Sequence, residues 1–394
     1  MRDSTYDVIV VGARVAGATT ALLLARQGLR VLVLDRAAYG SDTGSTHALM
    51  RGGVLQLREA GVLGDVIAAG TPAVRRVVFH YPDDSTTVTL KATAGVDALY
   101  APRRTVLDRV LVDAAVAAGA DVRFGMTVTG LLRDAAGSVS GVAAVDRDGR
   151  RLTASSRLTI GADGIGSAVA TAARAPLTWS APGPGGAVLY GYWSDLPTEG
   201  YEWYYGDQAG AGLIPTNDGR TLVFVGTTPQ RMKAARRNGT RAALRAVADA
   251  ASPELWERIA DAGSPRHLRG FAGMSGYLRR PYGRGWALAG DAGGFEDPLS
   301  THGMTDALRD ARLLVSAVLR IRSGTATETE ALIEYAAERD ALALPLARTV
   351  DTIASYRWTF PKLRRLLLEA NAAMSAQVEA VLRHSGPAAR LPVR

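Results

Sequence analysis

The first residues whose spacing suggests chemistry run from Gly12 to Gly17 and read Gly-Ala-Arg-Val-Ala-Gly. Gly12 and Gly17 occupy the first and last positions of the G-x-G-x-x-G pattern, in which glycine lets the backbone approach a pyrophosphate closely. Val15 and Ala16 lie between them, where the N–H groups and positive dipole end of a following helix attract phosphate. Arg14 replaces the middle glycine, so its side chain should point away from the phosphate crevice or cover it from outside.

The elements around this turn are those of a βαβ unit. A strand is predicted over Asp7–Val11, a helix over Ala18–Gln27 and a second buried strand over Arg30–Leu34. Asp35 ends the second strand at the distance from the glycine turn at which an acid accepts from a ribose hydroxyl. We therefore assign Asp35, with the adjacent Arg36, to a nucleotide site.

The chain has five histidines and no cysteine, which excludes thiolate metal sites, disulfides and cysteine nucleophiles. No metal site is expected. His47 and His302 are the candidates for proton transfer or substrate orientation, because histidine titrates near neutral pH. The alternative for both is a hydrogen-bonded structural histidine.

Composition narrows the class of protein further. The net charge is +8 over 394 residues, but the arginines that supply it are dispersed and do not form the clustered patch of a nucleic-acid binder. No apolar run reaches the roughly 18 residues that a membrane helix needs, and the N-terminus does not have the pattern of a signal peptide. We expect a cytoplasmic protein that does not bind nucleic acid and has no membrane span.

The middle and the end of the chain have different patterns. Residues Ala187 to Gly226 are rich in Gly, Tyr and Trp and alternate in hydropathy between turns, which predicts an antiparallel sheet. Helices are predicted over Ala101–Ala118 and Thr305–Arg322. The tail from residue 328 is predicted to be helical, with breaks near Pro345 and Pro361.

Two further motifs identify the kind of nucleotide binder. The segment Gly161 to Ser167 contains Asp163 and resembles the "DG" motif of flavoprotein monooxygenases. Gly290 and Asp291, with Pro298, Gly303 and Met304 following, resemble their "GD" motif. In this order and spacing, the motifs resemble the class A flavin-dependent monooxygenases, the p-hydroxybenzoate hydroxylase-like family. Geranylgeranyl reductases and flavin halogenases share the same scaffold.

The resemblance implies an α/β fold: a Rossmann-like FAD-binding domain with an inserted antiparallel-sheet substrate domain and C-terminal helices. The FAD-binding domain would comprise residues 1–75, 98–178 and 280–330. The substrate domain would comprise 76–97 and 179–279, and the C-terminal helical region 331–394.

The resemblance also assigns roles to individual residues. Arg51 and Arg104 match arginines that contact FAD in the family. Asp291 would accept from a ribityl or ribose hydroxyl, and Pro298 would stiffen the loop against the flavin ring. Gly303 and Met304 would open a helix whose positive end stabilises charge on reduced flavin.

The reaction implied is hydroxylation of an aromatic or polycyclic small molecule. NAD(P)H reduces the FAD, which then reacts with molecular oxygen to give a C4a-hydroperoxide, while the protein supplies a dry and oriented cavity. Tyr192, Trp203 and Tyr205 in the aromatic-rich sheet are the candidate substrate contacts. A homodimer is an open possibility.

Two alternatives remain open at this stage. One is an FAD-dependent reductase of a prenyl or other C=C bond. The other is a non-catalytic protein that binds FAD or a ligand. A halogenase is disfavoured, because the W-x-W-x-I-P stretch that such a resemblance requires is absent.

Overall fold

The computed structural model describes residues 4–263, 265 and 267–384. The strands, in chain order, are β1 Ser4–Val11, β2 Val31–Asp35, β3 Arg76–His80, β4 Ser85–Thr89, β5 Asp121–Phe124, β6 Thr127–Arg133, β7 Val139–Val145, β8 Arg151–Gly161, β9 Leu177–Ser180, β10 Ala187–Ser194, β11 Tyr201–Gly206, β12 Ala209–Pro215, β13 Arg220–Thr227, β14 Arg269–Phe271, β15 Tyr277–Arg279, β16 Tyr282–Gly283, β17 Trp286–Leu288 and β18 Gly294–Phe295. The helices are α1 Val15–Arg26, α2 Arg51–Glu59, α3 Leu63–Ala68, α4 Arg104–Ala117, α5 Ala168–Ala172, α6 Pro229–Ala235, α7 Thr240–Ala251, α8 Pro253–Asp261, α9 Gly303–Ser323, α10 Glu328–Ala354 and α11 Phe360–His384.

The first sheet has the strand order β16-β17-β8-β1-β2-β5, and the β6–β7 hairpin joins it through β8. Strands β17, β8, β1, β2 and β5 pair in parallel. Alternate residues of β1 fill two separate cores, Val8 and Val10 on one face and Ile9 and Val11 on the other. A parallel sheet buried on both faces explains the unbroken apolar runs of β1 and β2.

The second sheet has the order β14-β10-β13-β12-β11-β3-β4, and β11 pairs in parallel with β3. Its two faces differ. Leu189, Trp193 and Val225 pack against α7 and α8 on one side, whereas Tyr190 and Trp203 belong to a second cluster on the other. The predicted α/β fold with a parallel sheet, a separate antiparallel sheet and C-terminal helices is confirmed. Helices α6 to α8 were not predicted.

The C-terminal region departs from the prediction at one proline. α10 runs without interruption through Pro345, so the predicted break there is wrong. Leu346 and Val350, in the turns that follow, are buried against α11, and this packing offsets the hydrogen bond that proline cannot make. Pro361 lies in the first turn of α11, where no backbone N–H is needed, so the break near it is correct.

The conformation of the first βα turn generates a stability prediction for Gly17. A Cβ atom added at Gly17 would lie 1.8 Å from the carbonyl oxygen of Gly12, which is backbone and cannot move aside. Gly17→Ala should therefore destabilise the protein by roughly 1–3 kcal/mol, as overpacking does. Gly64→Ala is the matched control, because Gly64 is also helical but has no atom within 4 Å of the added methyl group. Equal urea-unfolding midpoints for the two variants would contradict this account.

Candidate active site

The turn between β1 and α1 has the form that a phosphate requires. Gly12 has a φ of +102°, and a Cβ added there would lie 2.3 Å from the carbonyl oxygen of Ala162 in the DG segment. Val15 and Ala16 open α1, and within the described residues no side chain caps that helix end. The N–H groups of the first turn are therefore free to bind an anion.

Asp35 reaches this turn from the end of β2. Its carboxylate is buried and accepts from the N–H of Ala13 at 2.7 Å and from the N–H of Ala37 at 2.7 Å. Each carboxylate oxygen keeps a lone pair for a further donor, such as a ribose hydroxyl. Arg36, the next residue, is exposed.

The Arg14 side chain is held by residues outside the glycine turn, and whether it also covers the phosphate from outside stays a prediction. Its guanidinium donates to the Ser41 carbonyl at 2.6 Å and to Asp108 of α4 at 2.7 Å. Arg104, one turn earlier in α4, donates to the other oxygen of Asp108 at 3.0 Å. The nearly buried Asp108 thus holds two arginines beside the crevice.

The GD turn is pressed against the start of α1. Gly290 has a φ of +60°, and a Cβ added there would lie 3.0 Å from that of Ala16. The N–H of Gly290 donates to Asp310 of α9 at 3.0 Å, and the hydroxyl of Tyr277 donates to the Asp291 carbonyl at 2.6 Å. The turn is therefore held from both sides by residues outside the motif.

The Asp291 carboxylate remains available to a ligand. Among the described residues no group donates a hydrogen bond to it. Burial raises the pKa of the Asp291 carboxyl to about 6, and the nearby Arg104 guanidinium opposes that rise. The positive charge of Arg104 also contributes to the lowered pKa of His47.

The DG segment contacts the glycine turn through the backbone of Ala162, whereas its acid, Asp163, makes hydrogen bonds within the segment and to α5. The Asp163 carboxylate accepts from the Ser167 hydroxyl at 2.5 Å and from the N–H of Ala168 at 2.7 Å, which caps α5. Arg51 is similarly engaged, because its guanidinium donates to the carbonyls of Lys91 and Val96 at 3.0 and 3.2 Å. Direct contacts of Asp163 and Arg51 with FAD stay predictions.

The start of α9 is open where a planar ring could lie. Gly303 is exposed, and a Cβ added there would meet no atom within 4 Å. Met304 and Pro298 are half-buried on either side. Asp297 ties this loop to the second sheet, since its carboxylate accepts from the N–H of Gly186 at 2.6 Å.

The two candidate histidines have different surroundings. His302 is fully buried, and its Nε2 lies 3.0 Å from Oε1 of Gln377 in α11, so the ring faces the C-terminal helices. His47 instead contacts Tyr192 of β10, with Nε2 hydrogen-bonded to the Tyr192 hydroxyl and the rings stacked at 5.7 Å. A catalytic role for either histidine stays a prediction. Of the two, only His47 adjoins the face of the second sheet that carries Tyr190, Trp203 and Phe224, called the aromatic face below.

The charge around His47 is positive. Burial lowers the pKa of its imidazole to about 3, and the positive charges of Arg104 and Arg103 act in the same direction. The Arg103 guanidinium lies 4.7 Å from the centre of the Tyr192 ring. His47 has a φ of +67°, and its Nδ1 is buried with no partner among the described residues. A neutral imidazole is therefore fixed against a phenol.

The other predicted substrate contacts lie on the same face as Tyr192. The Trp203 ring packs 5.8 Å from that of Phe224. Tyr205 lies farther along, with its ring 6.3 Å from that of Trp358. The loop 298–304, which follows the GD turn and is called the GD loop below, contains Leu299. Leu299 packs against the same cluster, so the loop and the aromatic face meet.

Several side chains of the site carry no local sequence signal. Tyr277, Asp310 and Arg103 reach the GD turn or Tyr192 from elements outside the three motifs. Among the described residues, no group of three or more His, Asp or Glu side chains could hold a metal ion. Within the same part of the chain, no helix combines the length and apolarity needed to cross a bilayer.

These features fit FAD. The free helix end at Val15, the Asp35 carboxylate and the undonated Asp291 carboxylate lie at or just after the ends of β1, β2 and β17, and the open space at Gly303 lies at the start of α9. They would hold pyrophosphate, ribose, ribityl and ring in that order.

The bond from Tyr277 to the Asp291 carbonyl generates a prediction about cofactor affinity. Tyr277→Phe removes that hydrogen bond and frees the turn that aims Asp291, so the Kd for FAD should rise by about fivefold to tenfold. The measurement is fluorescence quenching of FAD titrated with apoprotein. Tyr282→Phe is the control, because the Tyr282 hydroxyl has no hydrogen-bond partner among the described residues. An unchanged Kd in folded Tyr277→Phe would remove Tyr277 from this role.

Comparisons with known proteins agree with the geometry. The FAD binding domain family matches residues 5–349. Digeranylgeranylglycerophospholipid reductase 2 of Methanothermobacter thermautotrophicus is 30% identical over 315 residues, which cover 78% of this chain and 76% of the reductase. The solved structure of PqsL, described as a probable FAD-dependent monooxygenase from Pseudomonas aeruginosa, is 21% identical with a TM-score of 0.77 and covers 94% of this chain and 100% of PqsL.

A flavin-dependent brominase, Bmp2, has a TM-score of 0.78 at 19% identity, and the match covers 97% of this chain and 99% of the brominase. At such identities the two solved structures show a shared fold alone, whereas the family match spans most of the chain. The protein is an FAD-dependent oxidoreductase, and its chain belongs to the FAD binding domain family.

Proposed function

We propose that this oxidoreductase is a monooxygenase that hydroxylates an aromatic or polycyclic small molecule, using molecular oxygen and NAD(P)H. The observation that carries the proposal is the His47–Tyr192 pair, set on an aromatic sheet face beside the GD loop. Aromatic walls bind a flat ring, and a phenol with an imidazole and a guanidinium beside it can orient a substrate oxygen.

When bound, FAD supplies the redox chemistry, taking hydride from NAD(P)H and activating oxygen. The residues of the chain hold and orient. Asp35 and the start of α1 would bind the adenosine diphosphate half, and Asp291 the ribityl chain. The N-terminus of α9, at Gly303, would stabilise negative charge on the reduced ring.

His47 and Tyr192 orient the substrate in this proposal. A pKa near 3 keeps the His47 imidazole neutral at physiological pH. Its role here is to hold the Tyr192 hydroxyl in place by a hydrogen bond, and not to carry a proton. Burial raises the pKa of Tyr192, so its phenol is protonated and able to donate. Trp203 and Phe224 keep water from the reacting carbon.

The structure of PqsL in complex with 2-aminobenzoylacetate supports the choice of substrate class, because that ligand is aromatic and oxygenated. A second candidate is a reductase of a prenyl C=C bond, which the likeness to the archaeal digeranylgeranylglycerophospholipid reductase favours. A hydrocarbon chain offers no hydrogen-bond partner to the polar His47–Tyr192 pair. We therefore place the reductase second.

One experiment separates these functions. The FAD-loaded protein is mixed with NADPH or NADH and a panel of phenols and naphthols, and oxygen uptake, peroxide and hydroxylated product are measured. Substrate-dependent oxygen uptake with product is expected. Anaerobic reoxidation of the reduced protein by a geranylgeranyl lipid, without such uptake, would support the reductase. If neither reaction is observed, the result would favour a non-catalytic protein that binds FAD or a ligand.

The His47–Tyr192 pair generates a prediction about coupling. Tyr192→Phe should lower kcat/KM for the hydroxylated substrate roughly tenfold, by loss of one hydrogen bond. It should also increase the fraction of NAD(P)H that ends as peroxide, because a misoriented substrate reacts less often. FAD content should not change. The control is Tyr204→Phe. Tyr204 lies on the opposite face of the second sheet, where its hydroxyl donates to Glu202 at 2.7 Å. Equal coupling in both variants would remove Tyr192 from the site.

A further inference from the structure

Tyr356, in the short connection between α10 and α11, combines two unfavourable features. Its φ is +53°, in the left-handed region that a bulky residue rarely adopts. The residue is 3% exposed, and its hydroxyl is buried with no hydrogen-bond partner among the described residues. Strained backbone and unpaired buried polar groups concentrate at functional sites, so their coincidence here requires an explanation.

The Tyr356 ring lies over glycines of the second sheet. A Cβ added at Gly226 would lie 2.5 Å from the Tyr356 hydroxyl, and one added at Gly186 would lie 3.4 Å from the ring. Gly226 stands directly opposite Gly210 on β12 and opposite Val188 on β10. The glycines thus form a groove that admits the tyrosine.

This groove is continuous with the aromatic face of the proposed substrate site. The register places three rows of residues across the sheet on that face: Tyr205, Gly210, Gly226 and Val188; Trp203, Gly212, Phe224 and Tyr190; Ile214, Leu222 and Tyr192. Tyr192 and Val188 are four strand residues apart, which spans about 13 Å. The face therefore has a hydrogen-bonding phenol at each end and aromatic rings between them.

The Tyr356 hydroxyl is a suitable donor. Burial raises the pKa of this phenol well above its usual range, and the neighbouring Asp297 and Tyr205 act in the same direction, so it stays protonated. The connection that carries it is anchored, because the Trp358 indole donates to the Ile353 carbonyl at 2.9 Å. The Tyr356 N–H also donates to the Ile353 carbonyl at 3.1 Å, so this connection is tied to the end of α10.

We propose that Tyr356 is a specificity-determining residue that hydrogen-bonds a substrate oxygen at the end of the face opposite His47 and Tyr192. The substrate class is an elongated, flat polycyclic aromatic with an oxygen substituent at each end. This inference rests on the proposed function, since it extends the same substrate site. It gives the C-terminal helical region a direct part in recognition.

The test compares two probes on oxidised, FAD-loaded protein without NAD(P)H, so that its outcome does not depend on hydroxylation. The probes are 2,6-dihydroxyanthraquinone, with a hydroxyl at each end, and 2-hydroxyanthraquinone, with one. Binding is followed by perturbation of the flavin absorption spectrum. Wild type should bind the dihydroxy probe about tenfold more tightly, and Tyr356→Phe should abolish that preference while leaving the affinity for the monohydroxy probe unchanged.

Thermal unfolding separates recognition from a structural role. Tyr356→Phe removes an unpaired hydroxyl, so its Tm should equal or exceed that of wild type. The matched control is Tyr335→Phe in α10, which loses a bond to the Leu288 carbonyl at 2.7 Å and should lower Tm without altering probe preference. A Tm loss in Tyr356→Phe like that of the control, or an unchanged preference, would overturn the proposal. So would failure of wild type to bind either probe, even if oxygen uptake with smaller phenols upheld the monooxygenase.

Discussion

The close approach of three backbone turns at one edge of the parallel sheet is the constraint on which the site depends. β1, β8 and β17 pair in parallel, so the turns that follow them meet at the same edge. Gly12 lies against Ala162, and Gly290 lies against Ala16 at a distance that barely admits a methyl group. Both positions therefore favour glycine, and the contacts bring the free end of α1 and the Asp291 carboxylate to the same edge of the sheet.

Charge in this crevice is arranged by burial and by paired arginines. Asp108 holds both Arg14 and Arg104, which keeps their guanidinium groups beside the crevice without placing them in the phosphate turn. Asp35 is engaged by two backbone donors, whereas Asp291 has none among the described residues. Both carboxylates can therefore accept from further hydroxyl groups, Asp35 through its remaining lone pairs and Asp291 through both oxygens.

The two faces of the second sheet pack against different parts of the chain. One face is filled by α7 and α8 through residues such as Trp193 and Val225. The other presents Tyr190, Trp203 and Phe224 toward the GD loop. Successive strand residues point to opposite faces, so the Gly, Tyr and Trp residues of β10 to β13 fall into two alternating sets, one on each face. Helices α7 and α8 cover the first set, whereas Leu299 of the GD loop and Tyr356 pack against the second.

Local motifs were readable from the sequence because their geometry depends on neighbouring residues. The glycine turn, the strand ending at Asp35 and the GD turn each need only a strand, a few residues and a helix, and their order indicated the fold and the cofactor. Contacts between distant segments were not readable. That His47 and not His302 meets Tyr192, that Asp163 caps its own helix, and that α10 continues through Pro345 all depend on how whole elements pack. Tyr277, Asp310 and Tyr356 carry no local pattern, since each acts through residues brought near it only when the sheets and the C-terminal helices assemble.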